Sequence, residues 1–329
     1  MFVKHKLNYV VWLLLVSVIM PLNVFAYSDY ILAGGQNIGI QINSDGILVV
    51  GTYKIGNVDP AGDADLKIGD KITEINNIPV VSIEEMLDVL DNLDNQNSID
   101  VTFVRNDKKK NTTLNLVTDN DVYKTGLYVK DSINGVGTLT FIDPNTNIYG
   151  ALGHEIIEKS TGKKLEMKDG KIYSSVVTSI NPSHNGDPGE KNARYDVNDV
   201  YGDVLENSSV GIFGTYTAEL PDTKLYKVAE SDEVKLGEAS ILTVIDETKV
   251  QEFDINILQV YNDNSKKNIL FEVTDDMLLD VSGGIVQGMS GSPIIQADKI
   301  VGAVTHVVVD APTKGYGIFI TNMLEEAEN

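Results

Sequence analysis

Short runs in which apolar and polar positions alternate dominate the chain from about residue 31 to residue 117. Alternation with a period of two predicts strands that bury one face. The runs that fit this pattern are 38–42, 47–50, 99–105 and 112–117. Turn-forming residues separate them, as in the cluster Asp59-Pro60-Ala61-Gly62. The pattern therefore predicts a compact, strand-rich module.

One segment of this module has the period of a helix. Its apolar side chains fall on one helical face, and they are Met86, Leu87, Leu90 and Leu93. Ser82 and Glu85 have the spacing of a capping box, in which Ser82 accepts from the N–H of Glu85 and Glu85 returns to the N–H of Ser82. We expect a helix over residues 84–93.

Beyond a polar junction at residues 119–124, short β-branched runs recur and helical periodicity is scarce. These runs are 137–142, 171–180, 211–216, 239–244, 250–260, 267–272 and 300–309. Many short strands separated by turn signals predict a sandwich or a barrel. Residues 181–201 are polar and contain two prolines, which predicts a surface loop.

The N-terminus has the layout of an export signal. Lys4 and Lys6 precede an apolar stretch over residues 9–20, and Val24-Phe25-Ala26 offers a small-residue cleavage site. The apolar stretch is shorter than the roughly 20 residues of a spanning helix. We expect export, with residues 1–26 either removed as a signal peptide or kept as a membrane anchor.

The chain of 329 residues is long enough for about two domains, and it is strongly acidic. Its 26 basic and 48 acidic side chains give a net charge of −22. A field of that sign repels phosphate backbones and argues against nucleic-acid binding. The chain has no cysteine, which excludes thiol catalysis, thiolate metal sites and disulfides.

Residues 288–293 read Gly-Met-Ser-Gly-Ser-Pro and follow an apolar lead-in at 284–287. A serine on such a glycine turn can present its hydroxyl to a reacting carbonyl while backbone N–H groups stabilise the oxyanion. We predict Ser290 as the nucleophile, with the N–H groups of Gly288 and Ser290 as the oxyanion hole.

A serine nucleophile needs a base that takes its proton and an acid that orients the base. Outside the export segment the histidines are His154, His184 and His306. His154 ends the glycine-flanked segment 149–154 just after a predicted strand, whereas His184 lies in the polar loop and His306 ends an apolar strand. We therefore predict His154 as the base.

Asp275 is the best placed acid, because it follows a predicted strand and precedes the serine motif by 15 residues. Asp276 and Asp280 remain alternatives, since spacing alone cannot select one carboxylate. No metal or cofactor is predicted. The histidines are too few for a zinc motif, and the acid cluster Asp59, Asp63 and Asp65 lacks the spacing of a calcium loop.

Three other groups compete weakly for the catalytic roles. Ser282 precedes two glycines in a predicted loop, and Ser292 precedes a proline and is suited to hydrogen bonding within its turn. Lys314 would form a serine–lysine dyad with Ser290, but it follows a turn that is expected to be exposed. An exposed amine stays protonated and is a poor base.

Residues 31–118 resemble a PDZ domain. Ile38-Gly39-Ile40 is similar to the end of its carboxylate-binding loop, and residues 64–72 are similar to its Leu-x-x-Gly-Asp-x-Ile signature. The resemblance implies that an extended peptide adds as a strand beside residues 38–42, against the helix of residues 84–93. Ile38, Gly39 and Ile40 would then be peptide-binding residues.

The exported chain as a whole resembles the stage IV sporulation protein B (SpoIVB) peptidases of spore-forming Firmicutes. The matching segments are 137–141, 149–154, 283–295 and 302–306. The resemblance implies an N-terminal export or anchor helix (1–26), a PDZ domain (31–118) and a chymotrypsin-like double β-barrel serine peptidase domain (122–329). It also implies that His154 is the base, Asp275 the orienting acid and Ser290 the nucleophile.

Peptidases of this family are exported from the forespore into the space between the two sporulation membranes. They process themselves near the N-terminus and cleave a membrane-bound regulator of sigma-factor activation. The resemblance thus implies a signalling serine endopeptidase whose partners are a membrane-bound protein and a peptide in the PDZ groove. Two alternatives stay open, namely a PDZ scaffold with an inactive peptidase domain and a broad quality-control protease.

Overall fold

The computed structural model describes residues 27–94, 96–120, 122–164, 166–262 and 266–328. The predicted export segment, residues 1–26, lies outside these described residues. Within them, no helix has the length and apolar character needed to cross a membrane.

Strands make up most of the described chain. They are β1 (Tyr30–Ala33), β2 (Asn37–Thr52), β3 (Lys71–Ile75), β4 (Ile78–Pro79), β5 (Ser98–Arg105), β6 (Lys108–Asn115), β7 (Val117–Asp119), β8 (Val122–Lys124), β9 (Leu127–Ile142), β10 (Ile148–Ala151), β11 (Ile157–Glu158), β12 (Lys163–Lys164), β13 (Met167–Asn181), β14 (Glu190–Ser208), β15 (Gly211–Tyr216), β16 (Leu225–Val228), β17 (Gly237–Val244), β18 (Val250–Val260), β19 (Ile269–Val273), β20 (Pro293–Gln296), β21 (Lys299–Val307) and β22 (Lys314–Phe319). The helices are α1 (Pro60–Asp63), α2 (Ile83–Asp91), α3 (Asp276–Ser282) and α4 (Ile320–Ala327), with a 3₁₀ turn at Ser231–Glu233.

Six of these strands close into a first antiparallel barrel. The order around it is β9, β2, β13, β14, β15 and β10, and β10 pairs again with β9. Alternate side chains point inward and form a core that includes Ile40, Leu139, Tyr149 and Ile172. Because the ring closes, this part of the sheet leaves no unpaired edge.

A second antiparallel barrel follows the same plan. Its order is β17, β18, β19, β22, β21 and β20, and β20 pairs again with β17. Its core includes Phe253, Phe271 and Met289. The predicted double-barrel architecture is confirmed.

A third apolar cluster joins the two barrels. β1 pairs with β9 of the first barrel and with β16, and β16 runs parallel to β21 of the second. α4 packs here, since Met323 and Leu324 lie in one cluster with Phe141 and Ile300. The two barrels therefore meet along a continuous apolar interface.

The PDZ module contains β3 to β6 with α1 and α2, and its core includes Ile47, Ile72, Met86 and Phe103. Ser82 caps α2 as predicted, because its hydroxyl accepts from the N–H of Glu85 at 3.2 Å. The Glu85 carboxylate, however, accepts from the N–H of Val81 at 2.6 Å and not from that of Ser82. The reciprocal half of the capping box is thus displaced by one residue.

The structure corrects the predicted PDZ groove. Residues 38–42 of β2 pair with β9 on one side and with β13 on the other, so no edge is left for a peptide. The side chains of Ile38 and Ile40 are buried in the first barrel. Gly39 also lies inside, since an added Cβ would meet the Tyr195 ring at 2.3 Å. Residues 38–42 therefore complete a barrel instead of binding a peptide, and the first β2 side chain in the PDZ core is Ile47.

Residues 181–201 are also different from the prediction. Only residues 182–189 connect β13 to β14, and both prolines lie in this connection. The rest forms a hydrogen-bonded ribbon with Val176 and Val197 exposed. Because this ribbon is exposed to solvent, its residues are mostly polar. The alternation of apolar and polar positions that predicts a strand is therefore absent there.

Candidate active site

A cleft of about 520 Å³ receives side chains from both barrels. His154 enters it from the turn after β10, whereas Ser290 and His306 enter it from the second barrel. Gln287 and Gly288 line the same cleft next to the serine. The structure therefore brings His154 and Ser290, which are far apart in the sequence, to one site.

A strained turn positions His154. Leu152 and Gly153 both have φ of 71°, in the left-handed region, so the chain reverses sharply after β10. The Nδ1 of His154 lies 2.8 Å from the carbonyl oxygen of Glu155. A carbonyl only accepts, so this contact places the ring proton on Nδ1 and leaves Nε2 as a proton acceptor. Burial lowers the pKa of His154, which keeps the imidazole neutral near neutral pH.

The serine turn is held from the opposite barrel. Thr138 of β9 donates its N–H to the carbonyl of Ser290 at 3.0 Å and its hydroxyl to the carbonyl of Gly288 at 2.8 Å. Thr140 donates its hydroxyl to the carbonyl of Gly291 at 2.8 Å. With their carbonyls occupied in this way, the peptide units of the turn are fixed in orientation.

Two backbone N–H groups of this turn are free. The N–H groups of Gly288 and Ser290 donate to no residue that the structure describes. Gly288 has a φ of 95°, in the left-handed region that favours glycine. These are the groups that the sequence predicts as the oxyanion hole, and that role stays a prediction.

The Ser290 hydroxyl does not contact His154 in this structure. It donates to the carbonyl oxygen of Thr305 at 2.9 Å. The hydroxyl must therefore leave this acceptor before it can donate to the imidazole. The arrangement is that of a resting site, and such hydrogen bonds often form only when substrate is present.

His306 is a close neighbour of His154, which the sequence did not indicate. The two ring centroids are 5.3 Å apart, with the planes tilted by 42°. Desolvation at the cleft, together with the adjacent His154, lowers the pKa of His306 to about 4. Both rings are then uncharged at neutral pH, so neither repels the other.

Asp275 caps a helix in this structure. Its carboxylate accepts from the N–H of Leu278 at 2.9 Å and caps the N-terminus of α3. It does not line the cleft and makes no hydrogen bond with the histidine. An aspartate between a strand and a helix is well placed to cap that helix, and its role as the orienting acid stays a prediction. The alternatives Asp276 and Asp280 are exposed.

The rival groups lie outside the cleft lining. Ser282 is buried and donates its hydroxyl to the carbonyls of Leu278 and Gly284. Ser292 is buried under the serine turn, and its hydroxyl has no partner among the described residues. Within those residues, no cluster of three or more histidine or carboxylate side chains is arranged to hold a metal ion.

Lys191 is an unexpected neighbour of the serine turn. It is 3% exposed, and its aliphatic chain would meet a Cβ added to Gly288 at 3.1 Å. Its amine donates to the Thr243 hydroxyl at 2.8 Å, and burial lowers its pKa to about 7. The sequence carried no signal for this position, because nothing local distinguishes Lys191 from the surface lysines.

Two protein-family models match the chain. The family model of the SpoIVB peptidase S55 matches residues 121–324, and a PDZ domain model matches residues 36–116. No curated protein sequence matches the chain. The PDZ match begins at residue 36, just before β2, and so includes residues 38–42, which the structure assigns to the first barrel.

Several solved structures are similar. The PDZ domain of the SdrC-like protein from Listeria monocytogenes has 25% identity over 27% of this chain and 93% of that chain, with a TM-score of 0.24. The active form of the Rv3671c protease from M. tuberculosis has 14% identity over 59% of this chain and 74% of that chain, with a TM-score of 0.36. The HtrA-type protease AlgW with a decapeptide has 8% identity over 88% of this chain and 62% of that chain, with a TM-score of 0.36. Since the peptidase family model covers more than half of the sequence, the chain belongs to the SpoIVB peptidase S55 family and is a serine endopeptidase with a PDZ domain.

Proposed function

We propose that this chain is an exported serine endopeptidase of sporulation signalling, which processes itself and cleaves a membrane-associated regulator of sigma-factor activation. The observation that carries the chemistry is the shared cleft, where Ser290 and His154 lie beside two N–H groups that have no acceptor among the described residues. The family match over residues 121–324 supports the sporulation role. The basic and apolar N-terminus supports export.

In the proposed reaction, the Ser290 hydroxyl turns from the Thr305 carbonyl toward Nε2 of His154. As His154 takes the proton, Oγ attacks the carbonyl carbon of the scissile peptide, and the oxyanion accepts from the N–H groups of Gly288 and Ser290. His154 then returns the proton to the leaving amine. A water molecule releases the acyl group by the same route, which restores both side chains.

The edge of β9 at residues 127–131 is the best candidate for peptide docking in the PDZ module. Residues 127–130 pair with β2 on one side, and no described strand pairs with the other side of residues 127–131. α2 begins beside this edge, because the N–H of Ile83 donates to the Asp131 carboxylate at 2.8 Å. A free edge beside a helix suits an extended peptide that adds as a strand.

The decisive experiment compares full-length wild-type chain with Ser290→Ala, both expressed with an intact N-terminus. Mass spectrometry should detect self-processed wild-type protein, whereas the variant should lack every product of self-cleavage. A serine-directed fluorophosphonate should label the wild type only, because losing a triad nucleophile costs on the order of 10⁴-fold or more in rate.

Ser292→Ala is the matched control, since it removes a buried hydroxyl from the same turn that does not line the cleft. We expect this control to process itself and to label. Full labelling of Ser290→Ala would overturn the proposal. A sporulating host that lacks the chain should be complemented by the wild type and not by Ser290→Ala, whereas complementation by both would indicate a scaffold.

A further inference from the structure

The first barrel contains an apolar pocket that opens into the active-site cleft. Gly135 and Gly137 of β9 lie opposite Ile40 and Ile38 of β2, and both isoleucines are buried in the barrel, so the two glycines face the interior. At Gly137 the interior is full, because an added Cβ would lie 2.1 Å from Leu152 and 3.3 Å from Ile40. At Gly135 an added Cβ would meet nothing within 4 Å. The barrel interior is therefore open beside Gly135, which lines the cleft.

Large aliphatic side chains line this pocket. Ile40 and Leu152 are buried in its lining, and Ile133 and Ile156 are half-buried there. Ile157 adds a side chain that is 46% exposed. These side chains leave apolar surface in contact with water next to the catalytic groups. A ligand that covers this surface is favoured if it is itself apolar.

The charged groups of the cleft do not favour a charged ligand of either sign. Desolvation lowers the pKa of both His154 and His306, so the two rings are uncharged at neutral pH. The Glu158 carboxylate is buried and hydrogen-bonded within its own turn. The other two charged side chains of the lining, Glu155 and Lys159, have opposite signs. A charged side chain that entered the pocket would lose its hydration against the isoleucines, which is costly.

We propose that the pocket beside Gly135 binds a large apolar side chain of the substrate, such as leucine, isoleucine, phenylalanine or methionine, an inference that rests on the proposed function. Because Ser290 and His154 line the same cleft, this side chain belongs to a residue close to the scissile bond. Gly135 and Ile133 are then specificity-determining residues of the peptidase. The pocket recognises the cleavage site itself, whereas the edge at residues 127–131 would bind a separate peptide.

The test incubates the full-length chain with a peptide library made from a digested bacterial proteome and identifies the new termini by mass spectrometry. One position near the cut should be enriched in large apolar residues and depleted in charged ones. Synthetic peptides that differ only at this position then give kcat/KM for each side chain. Leucine should exceed alanine about tenfold to a hundredfold, because a hydrophobic pocket discriminates by the apolar surface that it buries.

Gly135→Leu should fill the pocket, since the structure has room for its Cβ. The ratio of kcat/KM for the leucine peptide to that for the alanine peptide should fall by about tenfold, because the larger side chain loses its place. Asn134→Leu is the matched control, which adds the same side chain at the next position of β9. Asn134 is exposed, points to the opposite face, where it accepts from the Tyr195 hydroxyl at 3.1 Å, and does not line the cleft. This control should keep the wild-type ratio.

Ile133→Ala provides a second variant if Gly135→Leu does not fold. It widens the pocket and should raise kcat/KM for a phenylalanine peptide relative to a valine peptide, a change of preference that a weakened fold does not produce.

Cleavage by the wild type without an apolar preference would overturn the inference and leave the proposed function in place. So would wild-type ratios in the folded variants, or fluorophosphonate labelling of the wild type without cleavage of any library peptide. Absence of both labelling and cleavage in the wild type would instead contradict the proposed function, and the role of the pocket with it.

Discussion

Gly291 occupies a point of the serine turn where a side chain has no room. Its φ is 94°, and an added Cβ would lie 2.0 Å from the carbonyl oxygen of Thr138 and 2.5 Å from the N–H nitrogen of Leu152. Both atoms belong to the backbone of the first barrel and cannot move aside cheaply. The glycine therefore permits the close approach that joins the serine turn to the histidine turn.

Gly291→Ala should abolish fluorophosphonate labelling, because relief of the clash must move the turn that carries Ser290. Near-attack geometry is sensitive to displacements of about 1 Å, which cost roughly a hundredfold in rate. Gly186→Ala is the control, since its φ is 86° and an added Cβ meets nothing within 4 Å. This control bears the backbone strain alone and should label normally. Normal labelling of Gly291→Ala would show that the turn tolerates the shift.

At the level of elements, a bidentate ion pair fastens the PDZ module. Nε of Arg105, at the end of β5, donates to one carboxylate oxygen of Asp70 at 2.6 Å, and Nη2 donates to the other at 2.7 Å. The Asp70 side chain is 1% exposed and also accepts from the N–H of Lys67 at 2.8 Å. The Gly-Asp of the PDZ signature thus ties the turn before β3 to the end of β5.

Arg105→Ala should destabilise the PDZ module by about 3 kcal/mol, because it leaves a buried carboxylate without its cation. Chemical denaturation and limited proteolysis of the module would measure this loss. Lys109→Ala is the control on the adjoining strand, since its partner Glu74 and its own side chain are solvated. We expect no measurable change in that variant. Equal stability of the two variants would mean that Arg105 is not needed to stabilise the buried Asp70 carboxylate.

At the scale of the whole molecule, the buried amine of Lys191 makes stability depend on pH. Its pKa is about 7 in the folded chain, below the value of about 10.4 in an unfolded chain. Between these values the unfolded state binds more protons, so the free energy of unfolding rises with pH. The penalty of the buried charge is complete below pH 7 and disappears toward pH 10.

Lys191→Met should remove this contribution. Denaturation at several values between pH 7 and 9.5 should give the wild type an additional slope of up to about 1.4 kcal/mol per pH unit relative to the variant. Subtracting the unfolding free energy of the variant from that of the wild type removes the contribution of groups that titrate in both proteins. Parallel pH profiles would indicate that the amine keeps its charge in the fold. A difference in the free energy of unfolding that does not change with pH would reflect the Thr243 hydroxyl, which loses its hydrogen-bond partner in the variant.

The strands β2 and β9 connect the first barrel to the PDZ module. Each has 16 residues and runs from the first barrel into the PDZ module. β9 therefore carries both the free edge at residues 127–131 and Thr138, which holds the serine turn. A sequence divided into consecutive domains does not predict such shared strands, because alternation says which face is buried and not which core buries it.

The sequence by itself determined the features that depend on nearby residues. The runs 211–216 and 250–260 form β15 and β18 with the predicted bounds, since alternation and flanking turns act within a few residues. The turn of Gly288 and Gly291 was equally readable, because it depends on the conformational freedom of glycine. The pairing of His154 with Ser290 was predicted from the glycine-flanked segment that ends at His154 and from the family resemblance, and both side chains line one cleft.

Only the tertiary structure decided which groups meet across long separations. Asp275 has a local partner in α3, so the sequence spacing to the serine does not decide whether it also orients the imidazole, and that role stays a prediction. Asn207 hydrogen-bonds to Ile156, 51 residues earlier, and Lys191 packs against Gly288, about a hundred residues later. No local sequence pattern predicts these contacts. The alternation of residues 38–42 would suit a strand of the PDZ module or of the first barrel. Their pairing with both β9 and β13 places them in the barrel.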